Sequence, residues 1–241
     1  MAIRFVLLIL GAYLVSSVPL SYIAAKLSRG IDLRQYGTGQ VGAGNLWRLT
    51  SWRLALPIGL FDLSKGLMMV WVAQLVGLNI PQQLTVGLAA IIGHNWPIFL
   101  RFSGGRGVGT AIGVVLILPI INEMTPWATV AFLTIIIIGT VITRSSPLPV
   151  LVAAAALPLV SWSLEPPSVT LGFLAIFVII VVKRLTAPRS AEAALISRGQ
   201  LLVNRLLFDR DIGDRKAWMY RTPREASSTE QSPEEQGQGK G

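Results

Sequence analysis

Apolar positions run through this chain in long blocks rather than in strict alternation. Continuous apolar stretches occupy residues 5–27, 53–77, 84–100, 107–121, 126–143, 147–163 and 168–183, with turn-like breaks between them. A helix crossing a bilayer needs roughly 20 apolar residues. Blocks near that length, repeated along the chain, predict an all-α, polytopic membrane protein of about seven transmembrane helices. The third block is uniformly apolar only from Leu84 to Ile92, before Gly93-His94-Asn95-Trp96-Pro97 interrupts it. At about 1.5 Å per residue that portion reaches about halfway across a bilayer. Lipid tolerates such a break only where the freed backbone lines a protein-enclosed polar cavity, so the interruption is the first pointer to a site.

Seven crossings put the termini on opposite sides, and charge chooses the orientation. Connections 28–52, 93–107, 144–146 and 184 onward carry Arg29, Arg34, Arg48, Arg101, Arg106, Arg144 and Arg184. Connections 78–83, 122–125 and 164–167 carry Glu123 and Glu165 and no Lys or Arg. Positive loops stay cytoplasmic, which predicts an N-terminus outside and a C-terminus in the cytoplasm, in the cell (plasma or inner) membrane. The opening Met-Ala-Ile-Arg ahead of an apolar run resembles a signal peptide. The run continues past Pro19, however, with Arg29 and Arg34 close behind, so it is read as a retained first span.

Composition sharpens this picture. The chain is 52% apolar and 14% charged, with a mean hydropathy of +0.61, whereas soluble domains carry about a quarter charged residues. Residues 1–190 hold 13 Lys/Arg against 4 Asp/Glu, and residues 191–241 hold 8 of each, so the net +9 belongs to the apolar part. Three regions follow: a transmembrane domain (1–186), a cytoplasmic amphipathic segment (187–224) and a disordered polar tail (225–241). Within residues 191–208, Leu195, Ile196, Leu201, Leu202, Leu206 and Leu207 alternate with Arg198 and Arg205, the pattern of a helix lying on the membrane face. From about Pro223 the Ser, Glu, Gln and Gly content favours disorder. With no cysteine and one histidine, disulfides, thiol nucleophiles and multi-His metal centres are excluded, leaving at most carboxylate or carbonyl ligation for a metal. The basic residues sit beside apolar runs, which points to membrane orientation and anionic substrates rather than to nucleic acid.

Three polar constellations stand on the expected cytoplasmic side. Ser16-Ser17-Val18-Pro19 precedes a loop in which Gly37, Gly39, Gly42 and Gly44 interleave with Thr38, Gln40 and Asn45, flanked by Arg34 and Arg48. Closely spaced glycines let backbone N–H groups approach a ligand; the alternative is a merely flexible loop. His94 opens a second stretch, in which Gly104, Gly105, Arg106 and Gly107 lead directly into the fourth block. Glycines and a cation at a helix N-terminus can cradle a phosphate, or the glycines can serve close helix packing. His94 lacks the Asp of an HxxxxD acyltransferase motif, because Phe99 stands there, and so has no evident partner for general-base work. The third constellation, Asp62-Leu63-Ser64-Lys65-Gly66, puts an ion pair inside the second block. Lys65 either contacts substrate or is pinned structurally by Asp62. Trp52, Trp71, Trp127 and Trp162 fall near block ends, as interface anchors do.

These segments resemble the acyl-phosphate-dependent glycerol-3-phosphate acyltransferases (the PlsY type). SSVPLSYIAAKLSRGIDLRQYGTGQVGAGNLWR is similar to a first family motif, approximately SIPxGYxxAKxxxGxDxRxxGSGNxGATNxxR. FDLSKG resembles DxxKG, and GHNWPIFLRFSGGRGVGTAIG resembles GHxxxxFLxFxGGKGVAT. The resemblance spans residues 1–185 and implies a seven-span, N-out enzyme. That enzyme moves a fatty acyl group from acyl phosphate to the sn-1 hydroxyl of glycerol 3-phosphate, without coenzyme A or metal, as the first step of phospholipid synthesis. It implies catalytic roles for Thr38, at the family's serine, and for Arg48. Substrate-binding roles are expected for Gly37, Gly39, Gln40, Gly42, Asn45, Lys65, His94, Gly104, Gly105, Arg106 and Gly107. Gln40 replaces an Asn, Gly44 a Thr and Arg106 a Lys. The C-terminal motif, about HxxNxxRLLxGxE, is reduced: with Arg205-Leu206-Leu207 aligned, Gly199 and Leu202 replace its His and Asn, and Asp211 its Glu. A second class stays open on the residues alone: a non-catalytic membrane transporter or binding protein for a phosphorylated solute or lipid.

Overall fold

The computed structural model describes residues 1–190, 193–194 and 196–222. Residues 191, 192 and 195 of the expected amphipathic helix, and the expected tail at 225–241, lie outside the described residues. The described chain is all-α: α1 (Ala2–Ser16), α2 (Leu20–Arg29), α3 (Ala43–Leu49), α4 (Trp52–Leu75), α5 (Ile80–Asn95), α6 (Val108–Asn122), α7 (Trp127–Thr143), α8 (Pro147–Ser161), α9 (Pro167–Leu185), α10 (Arg198–Phe208) and α11 (Arg215–Met219). A 3-10 turn at Ile98–Leu100 follows α5. The helical runs Ala2–Arg29, Trp52–Leu75 and Pro167–Leu185 are long and apolar enough to cross a membrane, and α6, α7 and α8 are apolar but shorter.

Two helices differ from their sequence expectation in ways that shape the site. The first block is divided into α1 and α2 at Ser17-Val18-Pro19, because proline lacks the N–H that would continue the helix. The carbonyls released there are taken by Lys65 of α4, whose Nζ donates to Ser16 O at 3.4 Å and Val18 O at 2.8 Å. The third block is not cut at Ile92. A capping box between Asn79 and Gln82 starts α5 early, and the helix runs on through Gly93 and His94 to Asn95. Its 16 residues span about 24 Å rather than half a bilayer.

The bundle is drawn together by small residues. A Cβ at Gly66 would overlap the Thr110 carbonyl, and one at Gly113 the Leu63 carbonyl, so α4 and α6 meet backbone to backbone. Thr110 Oγ1 donates to Asp62 O at 3.0 Å across the same seam. The main core joins α5 to α9 around Phe132, Phe173, Leu157 and Ile176. Outward, Leu159, Ile142 and Trp162 are 75% or more exposed, and Trp52, Trp71 and Trp127 also face out. Apolar surface on this scale needs lipid or a partner to cover it.

At the end away from the glycine-rich loops, Gln83 and Asn122 exchange reciprocal side-chain hydrogen bonds. Glu165 there accepts from Thr125 N and Oγ1. Helix α10 begins at Arg198, capped by Ser197, rather than near 191. It docks on α8 and α9 with Leu201, Asn204 and Arg205 buried, so its arginine is not solvated as a surface-lying helix requires.

Candidate active site

The loop before α3 is a rigid platform, not a linker. Leu33 and Leu46 are buried against Ala25, Ala55 and Ile58 and anchor its two ends. Gly37 and Gly39 take left-handed backbone (φ +57° and +70°), which glycine adopts without a Cβ penalty. Asn45 organises the turn from inside: its Nδ2 donates to Leu33 O, Tyr36 O and Gln40 O, and its Oδ1 accepts from Thr38 N. That side chain is therefore consumed by the protein, which corrects its expected role as a ligand donor. Gly42 is extended (φ −166°), and its conformation does not demand glycine. Thr38 Oγ1 is buried with no hydrogen-bond partner among the described residues.

The second loop folds back on the end of α5. Gly104 N donates to Asn95 O and Gly105 N to His94 O, each at 3.2 Å. A Cβ at Gly105 would overlap His94 Nε2 and the Val41 carbonyl. The expected cradle of N–H groups is thus corrected at these two glycines, which serve close packing. Gly107 differs: it has φ +69°, caps α6, and lines a cavity together with Val108 and Gly109 of the first turn.

Asp62 ties three elements together. Its Oδ1 lies 2.9 Å from Lys65 Nζ and 3.5 Å from His94 Nδ1. His94, which had no partner along the sequence, thus has a carboxylate across space. Lys65 is 3% exposed and spends its donors on Asp62 and the broken α1–α2 backbone, so the structural alternative describes it.

The chain beyond α9 returns over both loops, which the sequence pattern did not anticipate. Asp209, in left-handed backbone at φ +53°, accepts from Gln40 Nε2 at 2.9 Å through Oδ2. Its two oxygens lie 2.8 Å and 2.9 Å from Arg106 Nε. Gln40 and Arg106 are brought together by a carboxylate, and Arg106 Nη1 also donates to Lys183 O. Two residues on, Asp211 pairs with Arg205 at 2.7 Å and accepts from Ser190 N. Burial opposes the Asp211 charge, but the Arg205 and Ser190 hydrogen bonds prevail and hold its carboxyl below the usual carboxylate range. Further on, Gly37 N donates to Arg221 O and Arg221 Nε to Gly37 O, clamping the platform.

Two cavities flank this arrangement. One, of about 340 Å³, is lined by Thr38, Arg48, His94 and Arg106 on one side and by Ile136, Val150 and Ile180 on the other. The second, of about 300 Å³, shares Thr38, Gln40, Arg106 and Arg210 and adds Arg34, Lys183, Arg189 and Arg205. Thr38 therefore stands on the wall common to both. Partial desolvation and the neighbouring Arg215 push the Arg48 guanidinium below its ordinary pKa.

A cationic chamber with an apolar far wall, held among apolar helices, defines a class: integral membrane proteins with a polar, cationic cavity set among their helices. Comparison with known proteins narrows it. The glycerol-3-phosphate acyltransferase family profile matches residues 6–190. Glycerol-3-phosphate acyltransferase 5 of Dehalococcoides mccartyi is 38% identical over 97% of this chain and 99% of its own length. Glycerol-3-phosphate acyltransferase of Laribacter hongkongensis is also 38% identical, over 72% of this chain and 85% of that one. The crystal structure of PlsY (YgiH), an integral membrane glycerol 3-phosphate acyltransferase, in its glycerol 3-phosphate form, superposes with a TM-score of 0.69 at 26% identity. That likeness covers 84% of this chain and 94% of PlsY. The chain belongs to the glycerol-3-phosphate acyltransferase family and is a membrane acyltransferase.

Proposed function

We propose that this protein transfers a fatty acyl group from acyl phosphate to the sn-1 hydroxyl of glycerol 3-phosphate, releasing lysophosphatidate and inorganic phosphate. The hydroxyl oxygen bonds to the acyl carbon, the acyl–phosphate C–O bond breaks, and the departing phosphate takes the hydroxyl proton. Both substrates are phosphorylated, and the two cavities that meet at Thr38 offer each of them cations. The cavity with Ile136, Val150 and Ile180 suits the acyl donor, since it pairs a cationic wall with an apolar one. The smaller, strongly cationic cavity suits glycerol 3-phosphate, with Arg106 between them.

The observation that carries this reading is the buried, unpartnered Thr38 hydroxyl at the junction. A hydroxyl left without a partner inside a protein is costly, and a reacting phosphate or carbonyl oxygen would satisfy it. In this reading Thr38 and Arg48 steady the charge that grows on the acyl oxygen and the leaving phosphate, and the platform holds the two substrates in line. The seven apolar stretches, N-terminus outside, would put both cavities at the cytoplasmic face of the cell membrane, where glycerol 3-phosphate is met as a soluble partner and the acyl donor and product stay in lipid.

Purified protein given acyl phosphate and glycerol 3-phosphate should release phosphate and form lysophosphatidate in equal amounts. Binding or transport with no phosphate release would favour the carrier reading instead. Orientation is tested separately, and the lack of native cysteine makes labelling clean. Cysteine at Ser163 should react with an impermeant reagent from outside, and cysteine at Ser28 should not; the reverse pattern would invert the topology.

A further inference from the structure

The cations around the larger cavity fall into two kinds. Arg106 is neutralised by Asp209, whereas Arg48, Arg210 and Arg215, which line the same cavity, have no carboxylate within 4.0 Å among the described residues. The acidic groups close to them are all engaged elsewhere. Asp209 is held by Arg106 and Gln40, and Asp211 by Arg205 and Ser190. Asp214 caps α11 by accepting from Lys216 N and Ala217 N.

Arg210 is not a freely solvated side chain. Its guanidinium lies 4.9 Å from the Phe208 ring centroid, and its Nε is buried with no hydrogen-bond partner among the described residues. Arg48 is carried by α3, which Leu46 and Asn45 fix in the platform. Three arginines thus line one space with no ion-pairing carboxylate among the described residues, and Asp214 acts on Arg210 only from a longer range. Burial first, and then the Arg215 charge, lower the pKa of both Arg48 and Arg210, in Arg210 against an opposing pull from Asp214. A dianion entering this space would relieve the repulsion and take several charge-assisted hydrogen bonds.

We propose that Arg210 and Arg215 join Arg48 as phosphate-binding residues for the acyl donor, so that the segment after α10 completes the active site. The proposal rests on the acyl-transfer reading above and deepens it. The donor is chosen over glycerol 3-phosphate because Ile136, Val150 and Ile180 face the same cavity, and an aliphatic chain needs such a wall while a glycerol unit does not. Both arginines lie past residue 190, where the family profile ends, so the cluster adds to the motifs that the family match covers.

The test measures steady-state kinetics of the full-length protein in detergent, with hexadecanoyl phosphate and glycerol 3-phosphate varied in turn. Arg210→Gln and Arg215→Gln should each raise KM for hexadecanoyl phosphate about tenfold, the scale of one lost hydrogen bond to a charged group. In Arg215→Gln, KM for glycerol 3-phosphate should stay within about twofold, and Arg215→Lys should recover most of the loss. Arg210 borders both cavities, so in Arg210→Gln the rise for hexadecanoyl phosphate should exceed any rise for glycerol 3-phosphate. Inorganic phosphate should inhibit competitively against hexadecanoyl phosphate, with the variants less sensitive. Arg215 is exposed at the start of α11, so its variant separates a binding effect from any loss of the Arg210–Phe208 contact. A rise confined to KM for glycerol 3-phosphate would overturn the proposal by assigning the cluster to the other phosphate. Variants that match a normally active wild type would overturn it too, as a solvated charged face. A wild type that forms no product would instead sink the acyl-transfer reading itself, and the proposal with it.

Discussion

Arg106 and Asp209, 103 positions apart, form an ion pair at 2.8 Å with both side chains largely buried. The pair joins the entrance of α6 to the end of α10, and through Gln40 it reaches the glycine-rich platform as well. A guanidinium placed by a carboxylate keeps its orientation when no substrate is bound, and that is the condition for preorganised electrostatics.

Breaking this pair from one side should cost more than removing it whole. Arg106→Ala leaves the Asp209 carboxylate with the Gln40 amide as its hydrogen-bond donor and the Lys183 and Arg184 charges nearby. The loss should therefore fall below the roughly 3–5 kcal/mol of a fully uncompensated buried charge. The double variant Arg106→Ala/Asp209→Asn should regain a clear part of that loss. Thermal unfolding of the four proteins in one detergent forms the double-mutant cycle, and strictly additive shifts would show that the contact carries no coupling.

At Thr38 the expected signature is in kcat. Thr38→Ala deletes the orphan hydroxyl and should lower turnover about 100-fold, the order seen when one oxyanion donor is lost. Thr38→Ser keeps the hydroxyl and should retain most activity. Stability should change little in either variant, because the hydroxyl bonds to nothing among the described residues. Full activity in Thr38→Ala would remove Thr38 from the chemistry.

Two glycine substitutions should part company. A Cβ at Gly105 runs into His94, so Gly105→Ala should displace that ring from Asp62 and lower both stability and activity. A Cβ at Gly44 meets only Arg48 Nη1, at 3.9 Å, and Gly44 lies within α3. Gly44→Ala should fold as well as wild type or slightly better, since alanine is favoured over glycine in a helix by up to about 1 kcal/mol. Equal behaviour of the two in expression and unfolding assays would contradict the packing role assigned to Gly105.

Acid should loosen the returning segment first. Folding depresses the Asp211 pKa, so the contribution of the Arg205–Asp211 pair is complete above about pH 4, the unfolded carboxylate value. It fades as pH falls through the lower folded value. Amide exchange at Ser190, whose N–H donates to Asp211, should show protection that drops in that acidic window. Asp211→Asn should show reduced protection at every pH and lose this acid dependence. A wild-type profile that changes instead near neutrality would implicate another group.

Much of this architecture was legible along the chain, because burying a helix in lipid demands a long apolar run whatever it packs against. The all-α membrane character and the polar, glycine-rich loops around Thr38 and Arg106 follow from that local requirement, and among the described helices three are long and apolar enough to cross a membrane, with three shorter apolar ones. Which polar groups remain available for a ligand was decided only by tertiary structure. Asn45, Lys65, Gly104 and Gly105 have the chemistry of ligand contacts, yet the fold uses their hydrogen-bonding groups or their lack of a side chain to hold loops and broken helices in place. Asp62 and His94 became partners, and Asp209 and Arg210 came to the cavity, through contacts between distant segments that no local periodicity encodes. A residue type states what a side chain can bond to; only the packed chain determines which of those bonds are already made.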